Sequence, residues 1–218
     1  EFAIEAKKHP VPFNPVSVGS AINTKDDEHW PSITVDGQTL MFTRQSYTSI
    51  NSYSRGIYQE DFYLSYQTDS GWVTSFNAGE PLNTRQNEGA QTLSSSGNYM
   101  YFTACDRSGG LGSCDIYFSA FNEGKWSIPY NLGSPVNTNS WESTPSISAD
   151  GNMLFFSSSR PGGLGGKDIW YSVLNDKGSW SEPVNPGTAI NTEGDEMSPF
   201  IHFDGRSLYY ASNGRPGM

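Results

Sequence analysis

Residues 150–171 read Asp-Gly-Asn-Met-Leu-Phe-Phe-Ser-Ser-Ser-Arg-Pro-Gly-Gly-Leu-Gly-Gly-Lys-Asp-Ile-Trp-Tyr, and this stretch decides the fold. Asp150-Gly151 is a two-residue hairpin signal. The runs that start at Met153 and Asp168 are short and rich in aromatic residues, and a glycine-rich connection over 160–166 separates them. With the alternating run at 145–149 and a last segment from Trp180 to Val184, the unit is predicted to hold four short antiparallel strands.

The same unit occurs four times along the chain. Its hairpin signal is found at Asp36-Gly37, Ser96-Gly97, Asp150-Gly151 and Asp204-Gly205, at steps of 60, 54 and 54 residues. An Asn-Thr pair follows the same steps, at Asn23-Thr24, Asn83-Thr84, Asn137-Thr138 and Asn191-Thr192. A repeat of this length is typical of a propeller or solenoid. Four strands per unit favour an all-β fold, namely a β-propeller of four-stranded antiparallel blades.

The repeats predict one propeller domain over residues 1–218. Its units are expected at about 25–84, 85–138, 139–192 and 193–218. Residues 11–24 match the last strand and exit of a unit, so they are predicted to be the outer strand that closes the last blade. The fourth unit stops where its third strand is due, which favours a longer natural chain with five or six blades over a ring of four.

Composition limits the possible partners. The chain has 13 Lys and Arg against 23 Asp and Glu, a formal net charge of −10, which argues against a nucleic-acid partner. No apolar run approaches the ~18–20 residues that cross a bilayer, so no membrane span is expected. Aromatic residues make up 14% of the chain and are expected to pack the faces of the blades.

The two cysteines, Cys105 and Cys114, are nine residues apart and flank a glycine-rich loop. Neighbouring antiparallel strand ends lie close enough for a disulfide, which is therefore predicted here. Such a bond implies an oxidising compartment. No further cysteine or nearby histidine completes a zinc site.

Candidate binding residues are acidic and follow the repeat. Glutamates precede the innermost strand of each unit and are expected to ring one mouth of the central channel, where with Arg107 and Arg160 they would contact a peptide or protein partner: Glu28, Glu88, Glu142 and Glu196. In the alternative interpretation, each glutamate caps backbone N–H groups or pairs with an arginine of a neighbouring blade. No nucleophile motif or phosphate loop is found, so no catalysis, cofactor or metal is expected. The first repeat departs from the others in its longer loop between Arg44 and Asp61.

The motif Ser-Arg-Pro-Gly-Gly-Leu-Gly-Gly-Lys-Asp-Ile-Trp at 159–170, with the Asn-Thr and Asp-Gly markers, resembles the WD40-like (TolB-type) propeller repeats of Bacteroidetes OmpA-family envelope proteins. The resemblance covers about residues 13–215. It implies a non-catalytic periplasmic scaffold in an envelope or protein-secretion (type IX) complex, as part of an outer-membrane-associated lipoprotein. Its partners would be envelope or secretion-system proteins, with a peptide in the central channel and peptidoglycan held by another domain of the full-length protein.

Two other functions stay open at this point. The chain is also compatible with the propeller portion of a hydrolase or peptidase whose catalytic module lies outside this sequence. A glycan-binding propeller is the other alternative, with Trp30 and Trp141 forming the pockets.

Overall fold

The computed structural model describes residues 8–9, 14–48 and 57–215. From residue 14 onward, the regular elements of the described residues are β-strands and one 3-10 turn at Gly187–Ala189. The strands form four antiparallel sheets in chain order. Their innermost strands contact one another in sequence and line a common channel. The predicted β-propeller is therefore confirmed, and each sheet is one blade.

The blades are built from consecutive strands. Blade 1 contains β1 (Asp27–Ile33), β2 (Thr39–Thr48), β3 (Ile57–Thr68), β4 (Gly71–Trp72) and β5 (Phe76–Asn77). Blade 2 contains β6 (Glu88–Leu93), β7 (Tyr99–Cys105), β8 (Cys114–Asn122), β9 (Lys125–Trp126) and β10 (Tyr130–Asn131). Blade 3 contains β11 (Glu142–Ile147), β12 (Met153–Ser158) and β13 (Asp168–Val173), and blade 4 contains β14 (Glu196–Ile201) and β15 (Leu208–Ser212).

The prediction of one continuous fourth strand was wrong. In blade 2 this strand is broken into β9 and β10, which pair separately with β8. In blade 3 only two isolated bridges remain, Leu174 with Trp180 and Tyr171 with Val184. Pro129 and Pro183 interrupt the two segments, and proline has no N–H to donate to a ladder.

Large side chains at the centre of each second strand fill the space between blades. Met41 packs against Leu93 of the next blade, and Tyr101 packs in the same way against Ile147. Phe155 packs against Ile201. These six side chains are at most 9% exposed, and the aromatic residues among them, Tyr101 and Phe155, therefore belong to the core.

Each innermost strand has one residue in left-handed backbone conformation, where its register shifts. These residues follow the repeat and are Trp30, Ala90, Thr144 and Ser198, with φ between 45° and 53°. The shift turns backbone N–H groups away from their own sheet and toward the preceding blade. Ala90 N donates to Thr43 Oγ1 (3.2 Å), and Thr144 N donates to Thr103 Oγ1 (3.0 Å).

A second row of hydroxyl groups accepts N–H groups from the next blade. Leu93 N donates to Ser32 Oγ, Ile147 N to Thr92 Oγ1, and Ile201 N to Ser146 Oγ, at 3.2, 3.4 and 3.0 Å. In blade 4 the positions equivalent to Ser32 and Thr43 are Phe200 and Ala211, which have no hydroxyl group. Phe200 and the neighbouring Tyr209 are 48% and 61% exposed.

The Asn-Thr pair joins two blades. Asn83 holds Phe62 of β3 through both backbone groups, because Phe62 N donates to Oδ1 (2.8 Å) and Nδ2 donates to Phe62 O (3.0 Å). The next residue, Thr84, donates through its N–H and its hydroxyl to Glu88 of blade 2. Asn137-Thr138 and Asn191-Thr192 repeat this arrangement at the following two joints. Consecutive sheets are thus fixed to each other by side chain to backbone bonds.

Two segments bear on the predicted domain organisation. Residues 11–13 and 49–56 lie outside the described residues, and residues 14–24 contain no strand. Ile22 packs on Leu40 and Phe42 of blade 1. The closing role of residues 11–24, the boundaries of the units and the size of the ring stay predictions. The described ends of the longer first loop, residues 44–48 and 57–61, extend β2 and β3, which are joined by ten residue pairs.

We expect Asn137→Ala to lower the free energy of unfolding by about 1–3 kcal/mol, because it leaves the buried N–H of Ile116 without its partner, whereas the C=O of Ile116 keeps its bond from Leu132 N. Urea denaturation followed by tryptophan fluorescence measures the change. Asn98→Ala, at an exposed turn position, is the control and should change stability by less than about 0.5 kcal/mol. Equal effects of the two substitutions would contradict the role of Asn137 as a joint.

Candidate functional site

Each blade carries one glutamate at the start of its innermost strand. In blade 2, the carboxylate of Glu88 accepts bonds from Thr84 N (3.0 Å), Thr84 Oγ1 (2.6 Å), and Arg107 Nε (3.0 Å) and Nη2 (2.8 Å). The side chain of Glu88 is fully buried. Arg107 Nη2 also donates to Leu82 O (2.6 Å), on the chain that enters the blade. The pair therefore ties the entering chain to the first and second strands of its blade.

Blades 3 and 4 repeat this arrangement with one added hydroxyl. Glu142 accepts a bond from Ser158 Oγ (2.7 Å) and faces Arg160 Nη2 at 3.4 Å, and Arg160 donates to Val136 O. Glu196 accepts a bond from Ser212 Oγ, and Arg215 Nη2 donates to Ile190 O (3.2 Å). The three arginines come from the loop after the second strand.

Blade 1 supplies its arginine from a different place. Arg44 lies on β2, directly opposite Glu28 in the ladder, and its Nε donates to Glu28 Oε1 (2.8 Å). Its Nη2 donates to Ile22 O (2.9 Å), and its guanidinium lies 4.1 Å from the ring centre of Tyr63. Sequence analysis missed Arg44 and Arg215 as members of this set. Counting back from the Asp36-Gly37 turn places Gln45 opposite Glu28, and the register shift between His29 and Ser32 brings Arg44 there instead.

The prediction that these arginines come from a neighbouring blade was wrong. Glu88 and Arg107 belong to the same blade, because the first and second strands of a hairpin bring their far ends together. Capping of backbone N–H groups, the other half of that interpretation, is what the structure shows. In the described part of the chain, Glu28, Glu88, Glu142, Glu196, Arg107 and Arg160 do not line the two channel cavities. Contact of these six residues with a partner stays a prediction.

Burial and hydrogen bonding act against each other on these charges. Burial raises the pKa of Glu88 above its usual value, although Thr84 and Arg107 oppose the shift. Burial lowers the pKa of Arg160, against the attraction of Glu142. At Glu196, burial is outweighed by bonds from Ser212 and Thr192 and by the charge of Arg215, so the pKa is lowered. The carboxylates of Glu88, Glu142 and Glu196 are thus buried within the blades, whereas Arg215 is exposed.

The channel between the innermost strands contains two cavities. The larger one, about 370 Å³, is lined mainly by apolar groups that include Trp30, Pro145, Pro199 and Phe203. The smaller one, about 320 Å³, is lined by Trp30 and by the residues Glu60, Trp141, Lys167 and Met197. The four residues in left-handed conformation line both cavities. Trp30, a bulky residue for which such a φ is uncommon, is 36% exposed there.

The predicted disulfide between Cys105 and Cys114 is confirmed. It joins paired residues of β7 and β8, and both sulfur-bearing residues line the smaller cavity. Asp115 holds the intervening loop as well, by accepting bonds from Leu111 N (2.7 Å) and Gly112 N (3.2 Å). A Cβ on Gly112 would lie 1.7 Å from Ser140 O, so only glycine lets the loop approach blade 3 this closely.

The described residues contain neither a candidate membrane-spanning helix nor a candidate metal-binding cluster. No helix there is both long and apolar enough to cross a membrane. No group of three or more His, Cys, Asp and Glu side chains in those ranges is placed to hold a metal ion.

Comparison with known proteins supports the fold. No family model and no curated protein matches the chain. Among solved structures, an α-L-arabinofuranosidase from Lactobacillus brevis is 15% identical, with a TM-score of 0.51 over 87% of this chain and 65% of the other. A putative TolB from Agrobacterium tumefaciens (15% identity, TM-score 0.46) is matched over 88% of this chain and 72% of its own. A prolyl endopeptidase is 14% identical, with a TM-score of 0.49 over 86% of this chain and 23% of the other.

Of these likenesses, the one to the arabinofuranosidase has a TM-score above 0.5, and at 15% identity it supports the fold alone. The chain spans 65% of the length of the arabinofuranosidase and 23% of that of the prolyl endopeptidase. The neighbours include hydrolases as well as a TolB-like protein, so they favour neither class of function.

We expect the double substitution Cys105→Ser and Cys114→Ser to lower the free energy of unfolding by about 2–3 kcal/mol, the loop entropy of a short closed segment. The loop should keep its conformation, because Arg107 and Asp115 hold it independently. Denaturation of the oxidised protein and of the variant measures the loss. Wild type treated with a reductant should have the same free energy of unfolding as the variant. The prediction is contradicted if the variant is as stable as the oxidised wild type.

Arg107→Ala should destabilise the protein by about 3 kcal/mol at neutral pH, because a buried carboxylate is left without its cation. The difference in free energy of unfolding between wild type and variant should shrink as the pH is lowered from about 7.5 toward about 5.5. Burial already raises the pKa of Glu88, and loss of the guanidinium raises it further, so the folded variant takes up a proton where the unfolded chain does not. Denaturation across this pH range tests the trend. The exposed Arg85→Ala is the control, and a deficit that grows on acidification would disprove the assignment.

Proposed function

We propose that this chain is a non-catalytic binding propeller that holds a peptide segment of a protein partner in its central channel. The observation that carries the proposal is the apolar, aromatic lining of the two channel cavities. The repeated glutamates and arginines pair with each other inside the blades. Trp30, Phe203 and their neighbours are therefore the groups that a partner would contact in the channel.

The smaller cavity has the chemistry of a side-chain pocket. Lys167 Nζ lies 4.6 Å from the ring centre of Trp141 and 3.7 Å from Met197 Sδ. Glu60 supplies a carboxylate on the same lining. Aromatic rings, a thioether and one charge of each sign suit a peptide with an apolar side chain, since methionine and tryptophan surfaces adapt to such groups.

The disulfide and the sequence resemblance support the proposed compartment, the periplasm. A disulfide persists in oxidising surroundings and is compatible with a location outside the cytoplasm. The repeat motifs resemble those of Bacteroidetes OmpA-family proteins, and more narrowly PorE, the periplasmic lipoprotein of the type IX secretion system. The proposed role is therefore that of a periplasmic scaffold for envelope or secretion-system proteins, with peptidoglycan association supplied by another domain.

Trp30→Ala should abolish partner binding while leaving the fold intact, because alanine already occupies the equivalent left-handed position at Ala90. Affinity capture from an envelope extract, followed by calorimetric titration with segments of each captured protein, measures the loss. Phe76→Ala is the control: it removes an exposed aromatic ring from the outer edge of blade 1.

Two results would contradict the proposal. In one, Trp30→Ala binds the captured segment as tightly as wild type. In the other, the protein binds peptidoglycan fragments through Trp30 and no peptide, which would favour the glycan-binding alternative.

A further inference from the structure

The chain segment 16–24, here called the strap, has the fold of a connector between two blades. The three connectors are the segments 76–84, 130–138 and 184–192. Each has a glycine in left-handed conformation that accepts a bond from the Asn N–H four residues later, at 2.9 Å. In the strap, Gly19 has φ 89° and accepts the bond from Asn23 N at the same 2.9 Å.

The polar contact that orients the asparagine is also present in the strap. In the first connector, Asn77 Oδ1 accepts bonds from Asn83 Nδ2 and Gly79 N, both at 2.8 Å. In the strap, Ser17 Oγ takes that place and accepts bonds from Asn23 Nδ2 (3.0 Å) and Gly19 N (3.1 Å). The carboxamide of Asn23 is therefore already set for binding.

What the asparagine binds is the same in all three connectors. It holds the N–H and C=O of one fully buried residue on a third strand, namely Phe62, Ile116 or Ile169. In each case, Asp precedes this residue and an aromatic residue follows it. The strand recognised thus reads Asp, then Ile or Phe, then Tyr or Trp.

In the described structure, no strand lies on Asn23. Its side chain is exposed, and the described hydrogen bond of its carboxamide is the one to Ser17. Val16, at the outer-strand position of the strap, is 89% exposed, whereas its counterparts Phe76, Tyr130 and Val184 are 44%, 55% and 46% exposed. In the described residues, the strap thus has the internal contacts of a connector but no third strand bound to its asparagine.

The sequence indicates where the missing strand comes from. Asp is followed by Ile or Phe only at Asp61, Asp115 and Asp168, and the strap's own chain already uses all three. A second copy of residues 1–218 therefore has no free strand of this kind to offer.

We propose that the strap binds, by β-augmentation, an extended strand with the sequence Asp-(Ile/Phe)-(Tyr/Trp) supplied by polypeptide outside these 218 residues. Asn23 pairs with the backbone of the middle residue, and the backbone at Val16 and Ser17 lies alongside as the outer strand. The strap shares no residue with the lining of the channel cavities, so this site stands or falls separately from the proposed channel function.

The test is a titration with the peptide Gly-Gly-Lys-Asp-Ile-Trp-Tyr-Ser-Val, which copies residues 165–173. Amide NMR shifts of ¹⁵N-labelled protein report binding, with the side-chain NH₂ of Asn23 as the local probe. We expect saturable shifts at the strap and a loss of affinity of at least about tenfold in Asn23→Ala, since two backbone bonds are removed. A peptide N-methylated at its isoleucine keeps the side chain, lacks the N–H donor, and should bind as weakly.

Two control variants separate this site from other effects. Asn98→Ala, at an exposed turn, and Trp30→Ala, in the channel, should both bind the peptide like wild type. Equal affinity of wild type and Asn23→Ala, or of the plain and N-methylated peptides, overturns the proposal. It is also overturned if the strap shows no shifts at millimolar peptide, or if the protein forms a dimer that Asn23→Ala abolishes.

Discussion

Two adjacent residues that bind two different sheets hold this propeller together. Asn83 grips the backbone of β3, and Thr84 binds the buried carboxylate of blade 2. Apolar packing between blades is strong but has no direction, because it depends on buried area alone. The directional bonds of the Asn-Thr joint fix the angle at which one sheet meets the next. The propeller geometry therefore depends on a dipeptide that recurs at every joint.

The buried glutamates show how function and structure divide the polar residues. A charge inside a protein is tolerated only when it is paired and hydrogen-bonded, and Glu88 meets this condition with four donors. The same pairing ties the entering chain to the first hairpin of its blade. Residues that look like an acidic ring in the sequence thus become internal braces. The channel is left to Trp30, the prolines and a few residues at the smaller cavity.

The repeat made most of the fold predictable. Markers in one phase predicted the all-β propeller, the hairpin of β11 and β12, and the disulfide, because strand period and turn chemistry are local properties. The burial of Glu142 was harder to predict, because it depends on the face of the bulged strand from which the side chain projects. The bulge at Thr144 has no signal in a single sequence. Arg44 was not predicted because the arginine that pairs with the glutamate lies on a strand in blade 1 but on a loop in the other blades. Pro129 and Pro183 indicate the break of the fourth strand in blades 2 and 3, whereas blade 1 has the same break between β4 and β5 with Ser75 at the equivalent position.

The fourth sheet differs from the others in what it offers on its far side. Ser32, Thr92 and Ser146 each accept a hydrogen bond from a backbone N–H of the blade that follows, whereas Phe200 and Ala211 bring no oxygen to that surface. The first three sheets therefore select their neighbour by matching donors to acceptors, which admits one alignment only. At the two equivalent positions the fourth sheet offers apolar area and no acceptor, so nothing there fixes the alignment of a packed surface.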